Sequence, residues 1–229
     1  MSIGTGKTEL ENGIKLFRNE NYQEAIDSLE KTFENKNDIE SGYHLALSYA
    51  QIQNYDKTLE TFDKIMRRLD NPLRIMQAHI IVGYIYAIKE MYDLAEFELL
   101  DALASGIENT QIYSVLGYIY YKKNNTRKAI DSLRKAVAMD SQSANARNSL
   151  GFILADSGIN IEEGISEIKK ALSMDPKNPA YLDSLGWAFF KKNDIANAKE
   201  FLTKAFEIAP NNKDIKEHLI KLDQLGYKK

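Results

Sequence analysis

The segment YSVLGYIYYKKNNTRKAIDSLRKA, residues 113–136, decides the fold. Tyr113, Leu116, Gly117 and Tyr120 sit at i, i+3, i+4 and i+7, the spacing that places side chains on one face of an α-helix. Asn124-Asn125-Thr126 interrupts that pattern with turn-forming residues. Ala129, Leu133 and Ala136 then form a second helical stripe. Gly117 and Ala129 lack bulk, so two backbones can approach closely there while Tyr120 and Leu133 fill the flanks. Glycine inside a helix costs ~1 kcal/mol against alanine. Its use on the packed face therefore indicates a steric requirement, and enlarging it is expected to cost ~1–3 kcal/mol through overpacking.

The same pattern recurs on both sides. Gly83-Tyr84, Gly117-Tyr118, Gly151-Phe152 and Gly186-Trp187 are separated by 34, 34 and 35 residues. Ala95, Ala129, Gly164 and Ala198 follow at 34, 35 and 34, as do Ala102, Ala136, Ala171 and Ala205. Weaker copies precede them: Gly42, Leu45, Ala46, Tyr49, Thr58 and Phe62, and before these Gly13, Leu16, Ala25 and Leu29. One extra residue falls near Gly158, and three fall near Asn71-Pro72. Three series locked to one period mark an array of helical hairpins, each burying its apolar face against its neighbours. Asn71-Pro72 and Asn178-Pro179 read as helix starts, with Asn as N-cap and Pro at the first helical position.

The residues Tyr113, Leu116, Gly117, Tyr120, Ala129, Leu133 and Ala136 resemble the tetratricopeptide repeat (TPR), a helix–turn–helix unit of 34 residues. So do Leu182, Leu185, Gly186, Phe189, Ala198, Leu202, Ala205 and Pro210. The resemblance implies an all-α, right-handed solenoid of about six units, over residues 6–39, 40–75, 76–109, 110–143, 144–178 and 179–212. Residues 213–229 then form a capping helix and tail, with Ile215, Leu219, Leu222 and Leu225 as its apolar stripe and Gly226 as its stop. The stretch Asn178–Trp187 is similar to repeats common in bacterial members of the family.

In TPR proteins the first helix of each unit lines a concave groove. The resemblance places Ile14, Leu47, Tyr84, Tyr118, Phe152 and Trp187 there, with Phe17, Tyr121 and Phe190 three residues further along their helices. Leu10, Tyr43, Ile80, Ser114, Asn148 and Asp183 lie four residues earlier. The implied surface is aromatic, of the kind that marks a contact site, with Asn148 and Asp183 placed to hydrogen-bond a peptide backbone. Two arrangements stay open: an exposed groove, or aromatics packed on one another. The Lys/Arg/Asn clamp by which some members hold chaperone C-terminal carboxylates is replaced here by Leu10, Ile14, Tyr43, Leu47, Ile80 and Tyr84, so a chaperone tail is not the expected ligand. The expected partner is another protein or peptide, bound by a non-catalytic adaptor. The alternative is self-assembly into a homo-oligomer, through the aromatic surface or the divergent first unit.

Composition narrows the field further. The 229 residues are 44% hydrophobic and 28% charged, enough for a substantial core. A net charge of -3 argues against a nucleic-acid binder, even though Tyr118 and Trp187 are of a type that stacks on bases. The absence of cysteine excludes disulfides, thiolate metal sites and a catalytic thiol. His44, His79 and His218 show no metal-ligand spacing, and no catalytic constellation emerges; no cofactor, metal or enzyme activity is expected. His79 occupies an aromatic core position and is expected to be packed. Gly4-Thr5-Gly6-Lys7-Thr8 has the end of a phosphate-binding loop but lacks its earlier glycine and a preceding strand. Lys122-Lys123 and Lys191-Lys192 are expected as solvated helix ends, suited to the negative end of the dipole. With no apolar signal region at Met1–Glu9 and no apolar run of membrane-spanning length, a cytoplasmic protein is expected, or a periplasmic one if a signal was removed.

Overall fold

A computed structural model describes residues 3–104, 106 and 108–226. The side chains of Gly4–Thr8 and of Leu225 lie outside the described residues. Among those described there are thirteen α-helices and one 3-10 turn, and no strand. None of these helices is long and apolar enough to cross a membrane. The chain divides into two compact units, Met1–Ile107 and Glu108–Lys229.

The first unit holds α1 (Ile3–Arg18), α2 (Tyr22–Lys36), α3 (Ile39–Gln51), α4 (Tyr55–Ile65), α5 (Pro72–Ile88) and α6 (Tyr92–Ala104). The three extra residues before Asn71 are absorbed by the 3-10 turn Met66–Arg68, which Arg68 ties down by donating to the Asn37 carbonyl at 2.9 Å. The second unit holds α7 (Thr110–Lys122), α8 (Thr126–Met139), α9 (Ala144–Asp156), α10 (Ile161–Met174), α11 (Pro179–Lys191), α12 (Ile195–Ile208) and α13 (Lys213–Gly226). Odd-numbered helices are here called A helices, and the even-numbered helices that follow them B helices.

Local chemistry fixes the hairpins. In every A–B turn one residue adopts a left-handed backbone: Glu20, Gln53, Glu90, Asn124, Gly158 and Asn193, with φ of 62, 59, 59, 59, 70 and 65°. The side chains of Asn54, Asn125, Asn160 and Asp194 then accept N–H bonds three residues on, at 3.1–3.3 Å, supplying the partner that a first-turn N–H lacks. The residue added at Gly158 lengthens one turn, so the Asn160 N–H reaches back six residues, to Leu154, at 3.4 Å. The equivalent Asn125 N–H reaches back five, to Tyr120, at 2.8 Å. Helices α2 and α6 depart from the rule: Asn21 makes no side-chain cap bond. Met91 stands where its counterparts carry Asn or Asp, and it is 45% exposed. The A helices α5 and α11 begin as the Asn-Pro pairs predict: Asn71 accepts from Leu73 and Arg74, and Asn178 from Ala180.

Packing within each hairpin is set by the small residues. A Cβ added to Gly117 would lie 2.5 Å from Leu133 Cγ, and one added to Gly186 would lie 2.7 Å from Leu202 Cγ. Gly151 faces Gly164, and a Cβ there would lie 2.5 Å from the Gly164 carbonyl oxygen. Leu29, Leu99, Leu133, Ile168 and Leu202, the residues opposite the glycines, are fully buried. Leu29, Phe33, Phe62 and Ile65 anchor one core cluster in the first unit. In the second, Ile168, Leu185, Phe189, Leu202 and Leu222 form another. Helix α13 contributes Ile215 and Leu222 to the second unit's core while Lys213, Lys216 and Lys221 stay exposed. Lys191 and Lys192 are exposed at their helix end, and they also form ion pairs, with Asp156 at 3.4 Å and with Glu162 at 2.8 Å.

The obstruction differs between glycines, and so should the effect of alanine. At Gly117 only the Leu133 side chain must move, and alanine's helix propensity of ~1 kcal/mol works against the packing cost. At Gly151 the obstruction is backbone. Gly151→Ala is expected to lose about 1–3 kcal/mol, and Gly117→Ala less, as read by urea denaturation of both variants.

Candidate functional site

One-repeat spacing places side chains from successive A helices side by side. In the first unit, Arg74 pairs with both carboxylate oxygens of Glu40 at 2.5 and 2.9 Å. Its guanidinium lies 4.9 Å from the Tyr43 ring centre. Tyr43 in turn donates its hydroxyl to Gln77 at 2.6 Å. The hydrogen bond and charge of Arg74 hold the Glu40 carboxyl below the usual carboxylate range, against its burial. Tyr43 is 4% exposed and packs edge-on to Phe62 in the core. The expectation that Tyr43 opens onto a groove is thereby corrected, because Arg74, Gln77 and Phe62 enclose it. Tyr84 on α5 does face outward, with 51% of its surface exposed.

The second unit contains the better-formed site, a cleft of about 370 Å³ on the A helices α7, α9, α11 and α13. Tyr118, Tyr121, Asn148, Phe152, Asp183 and His218 are among the residues lining it. Tyr121 donates to Asp156 at 2.5 Å, and Trp187 Nε1 donates to the other oxygen of that carboxylate at 2.8 Å. Burial pushes the Asp156 carboxyl up. The hydrogen bonds from Tyr121 and Trp187 and the Lys191 ammonium outweigh that, leaving it below its ordinary value. Burial first, then the bond to Asp156 and its charge, push the Tyr121 phenol up. Phe152 meets Tyr121 edge-on at 6.0 Å.

Helix α13 closes one wall. His218 Nδ1 lies 2.9 and 3.0 Å from the Asp183 oxygens. The His218 ring stacks on Trp187 at 4.1 Å, and Phe190 stacks on Trp187 at 4.8 Å. Trp187 and Asp183 are each 7% exposed. Trp187 is therefore a packed strut and not an open anchor, which corrects its assignment to the groove surface. Asp183 borders the cleft but is occupied by His218. Phe190 is partly buried against Trp187. Tyr118, 44% exposed, and the half-buried Tyr121, Asn148 and Phe152 form the accessible wall. Asn148 Oδ1 is buried and accepts no hydrogen bond from any described residue.

His218 and Asp156 are the members of this site that sequence reasoning missed. The period itself points to His218: 148, 183 and 218 are successive steps of 35 residues, the last of them beyond the final full unit. The histidines also have acidic partners that local spacing hides. His79 meets Glu98 at 2.8 Å, one hairpin away, and His218 meets Asp183 one repeat away. Among the described residues no group of three or more His, Cys, Asp or Glu could hold a metal ion.

Comparison with known proteins agrees with this architecture. Models described as TPR repeat or tetratricopeptide repeat match residues 40–69, 117–158 and 180–212. A TPR repeat-containing protein of Pseudomonas aeruginosa is 26% identical over 164 residues, covering 72% of this chain and 27% of that protein. The chain spans between a quarter and a third of the length of the curated relatives that it matches over most of its own length. The crystal structure of YrrB, titled a TPR protein with an unusual peptide-binding site, is 25% identical and superposes with a TM-score of 0.61, over 82% of this chain and 96% of that one. PilF of Pseudomonas aeruginosa shares the fold at 13% identity, with a TM-score of 0.73 over 95% of this chain and 97% of that one.

Two measurements separate struts from accessible residues. Trp187→Ala should cost about 3–5 kcal/mol of stability by removing a buried ring, whereas Tyr118→Ala should cost less than about 1 kcal/mol at its exposed position; thermal or urea unfolding reads both. Asp156→Asn should lose about 1–2 kcal/mol near neutral pH by weakening charged hydrogen bonds. Because the folded carboxyl sits below its ordinary value of 3.8, that stabilisation is present above the ordinary value. It is lost as pH falls through the depressed value. The stability gap between wild type and Asp156→Asn should therefore narrow as urea denaturation is carried from pH 6 into the region below about 4.

Proposed function

We propose that this chain, a tetratricopeptide repeat protein, is a non-catalytic adaptor whose second unit binds a short peptide segment of a partner protein in the cleft on α7, α9, α11 and α13. Proteins built from this repeat mediate protein–protein interactions, and YrrB is described as having an unusual peptide-binding site.

The observation that carries the reading is Asn148. A buried carbonyl oxygen without a hydrogen bond costs about 1–3 kcal/mol, and the half-buried residue that carries this one lines an open cleft with an aromatic wall. Rotation of the amide toward the cleft would let an N–H donor of a bound chain remove that cost. Tyr118, Tyr121 and Phe152 supply apolar surface beside it, and rings of this kind anchor peptide side chains with little entropy to lose. The network behind them, Tyr121–Asp156–Trp187 with the His218 stack, holds the wall in place before binding. Such preorganisation lowers the ordering cost of association. The cleft volume of about 370 Å³ suits a few side chains of an extended segment and not a whole helix.

Selection of binders from a random peptide library on the full chain tests this. Selected peptides should lose about ten-fold or more in affinity on Tyr118→Ala and on Asn148→Ala, the range of a single anchor or buried hydrogen bond, with both variants still folded by circular dichroism. Equal binding to wild type and both variants would move the site away from the cleft.

A further inference from the structure

The B helices of the six hairpins occupy equivalent places, yet α6 differs from the other five at three outward positions. Aligning on the buried small residue (Ala25, Thr58, Ala95, Ala129, Gly164 and Ala198), the positions one before, two after and five after it are Leu94, Phe97 and Leu100 in α6. In α4 they are Lys57, Glu60 and Asp63, and in α8 they are Lys128, Asp131 and Arg134. They are polar or charged in α2, α10 and α12 as well. Leu94, Phe97 and Leu100 are 43, 59 and 44% exposed, while Ala95, Leu99 and Ala102 on the opposite side are fully buried. The patch is thus not the hairpin's core. An aromatic and two leucines on one exposed face, at sites where every sister helix is polar, mark a contact surface.

Charge identifies the occupant. Helix α6 carries Asp93, Glu96 and Asp101, besides the Glu98 that meets His79, and no Lys or Arg, whereas every other B helix carries basic residues. Glu90 precedes it, and Lys89 is held by Asp56 at 2.8 Å. An apolar stripe with an acidic surround complements a cationic amphipathic helix, whose apolar face covers Leu94, Phe97 and Leu100 while its Lys/Arg flanks meet the acids. The same charge repels an anionic lipid surface, which calls for basic residues on the protein side.

We propose that the outward face of α6 is a second docking surface, separate from the cleft of the second unit, for a basic amphipathic helix of a partner protein.

The test uses the full chain and a synthetic peptide of about 18 residues in which Leu and Lys alternate with helical period, with a Leu/Glu peptide of the same pattern beside it. Fluorescence anisotropy reads binding. The triple variant Leu94→Lys/Phe97→Glu/Leu100→Asp installs the residues that α4 carries at these positions and makes the surface more acidic by one charge. Non-specific attraction of a cation would therefore persist in it. Loss of the Leu/Lys peptide by roughly ten-fold or more in this variant, with no binding of the Leu/Glu peptide, is expected. Asp101→Lys, a single exposed change, should weaken the same peptide several-fold and more strongly at low salt. Tyr118→Ala and Asn148→Ala should leave it unchanged, so failure here and failure of the cleft are told apart. Unaltered binding in the triple variant overturns the proposal. So does a wild-type dimer in sedimentation equilibrium that the triple variant abolishes, which would make the occupant a second copy. Binding to phosphatidylserine vesicles that is lost in the triple variant would also overturn it, in favour of a lipid surface.

Discussion

Everything in this protein depends on how closely the A and B helices of a hairpin approach one another. Where Gly117 meets Leu133 or Gly151 meets Gly164, there is no room for a Cβ without displacing a buried leucine or a carbonyl. That contact fixes which face of each helix is inside, and so which residues remain for other work. It also explains why glycine, poor in helices by ~1 kcal/mol, is kept at the same phase of the repeat in α1, α3, α5, α7, α9 and α11 or one turn from it. The steric gain exceeds the propensity loss.

Given that contact, the period does the rest. Residues one repeat apart on successive A helices become neighbours, and the polar links follow that step: Glu40 with Arg74, Tyr43 with Gln77, Tyr121 with Asp156, Asp183 with His218. In the first unit these links close over Tyr43. In the second they brace a wall and leave Asn148 Oδ1 without a donor among the described residues. The same register can therefore give a sealed core or an open cleft, depending on which side chain answers across the step.

Function in such a chain lies in the departures from the repeat. The cleft exists because α13 supplies one more A-type helix, and with it His218 against Asp183 and Trp187. The α6 surface exists because Leu94, Phe97 and Leu100 stand where the sister helices are polar, and because α6 has no Lys or Arg. Neither departure is demanded by the hairpin contact, since the sister helices fold without it.

The all-helical hairpins were legible in the sequence because they rest on local rules: helical periodicity, Asn and Asp caps, and a small residue every 34 or 35 positions. Aligning the repeats position by position shows that α6 carries Leu94, Phe97 and Leu100 where its sister helices are polar, but that these side chains are exposed is seen only in the folded chain. Burial of Tyr43, Asp183 and Trp187 was not legible either. The repeat phase says that these residues leave the hairpin core, but not whether a neighbour covers them. That depends on Arg74, Gln77, Asp156 and His218, which reach them from other helices. Nor does the period show that the chain divides near residue 107, since the repeat runs through that point in sequence without a break. Local stripes fix elements and their inner faces; which outward side chains are sealed and which are left open is decided by long-range contacts, and these exist only in the folded chain.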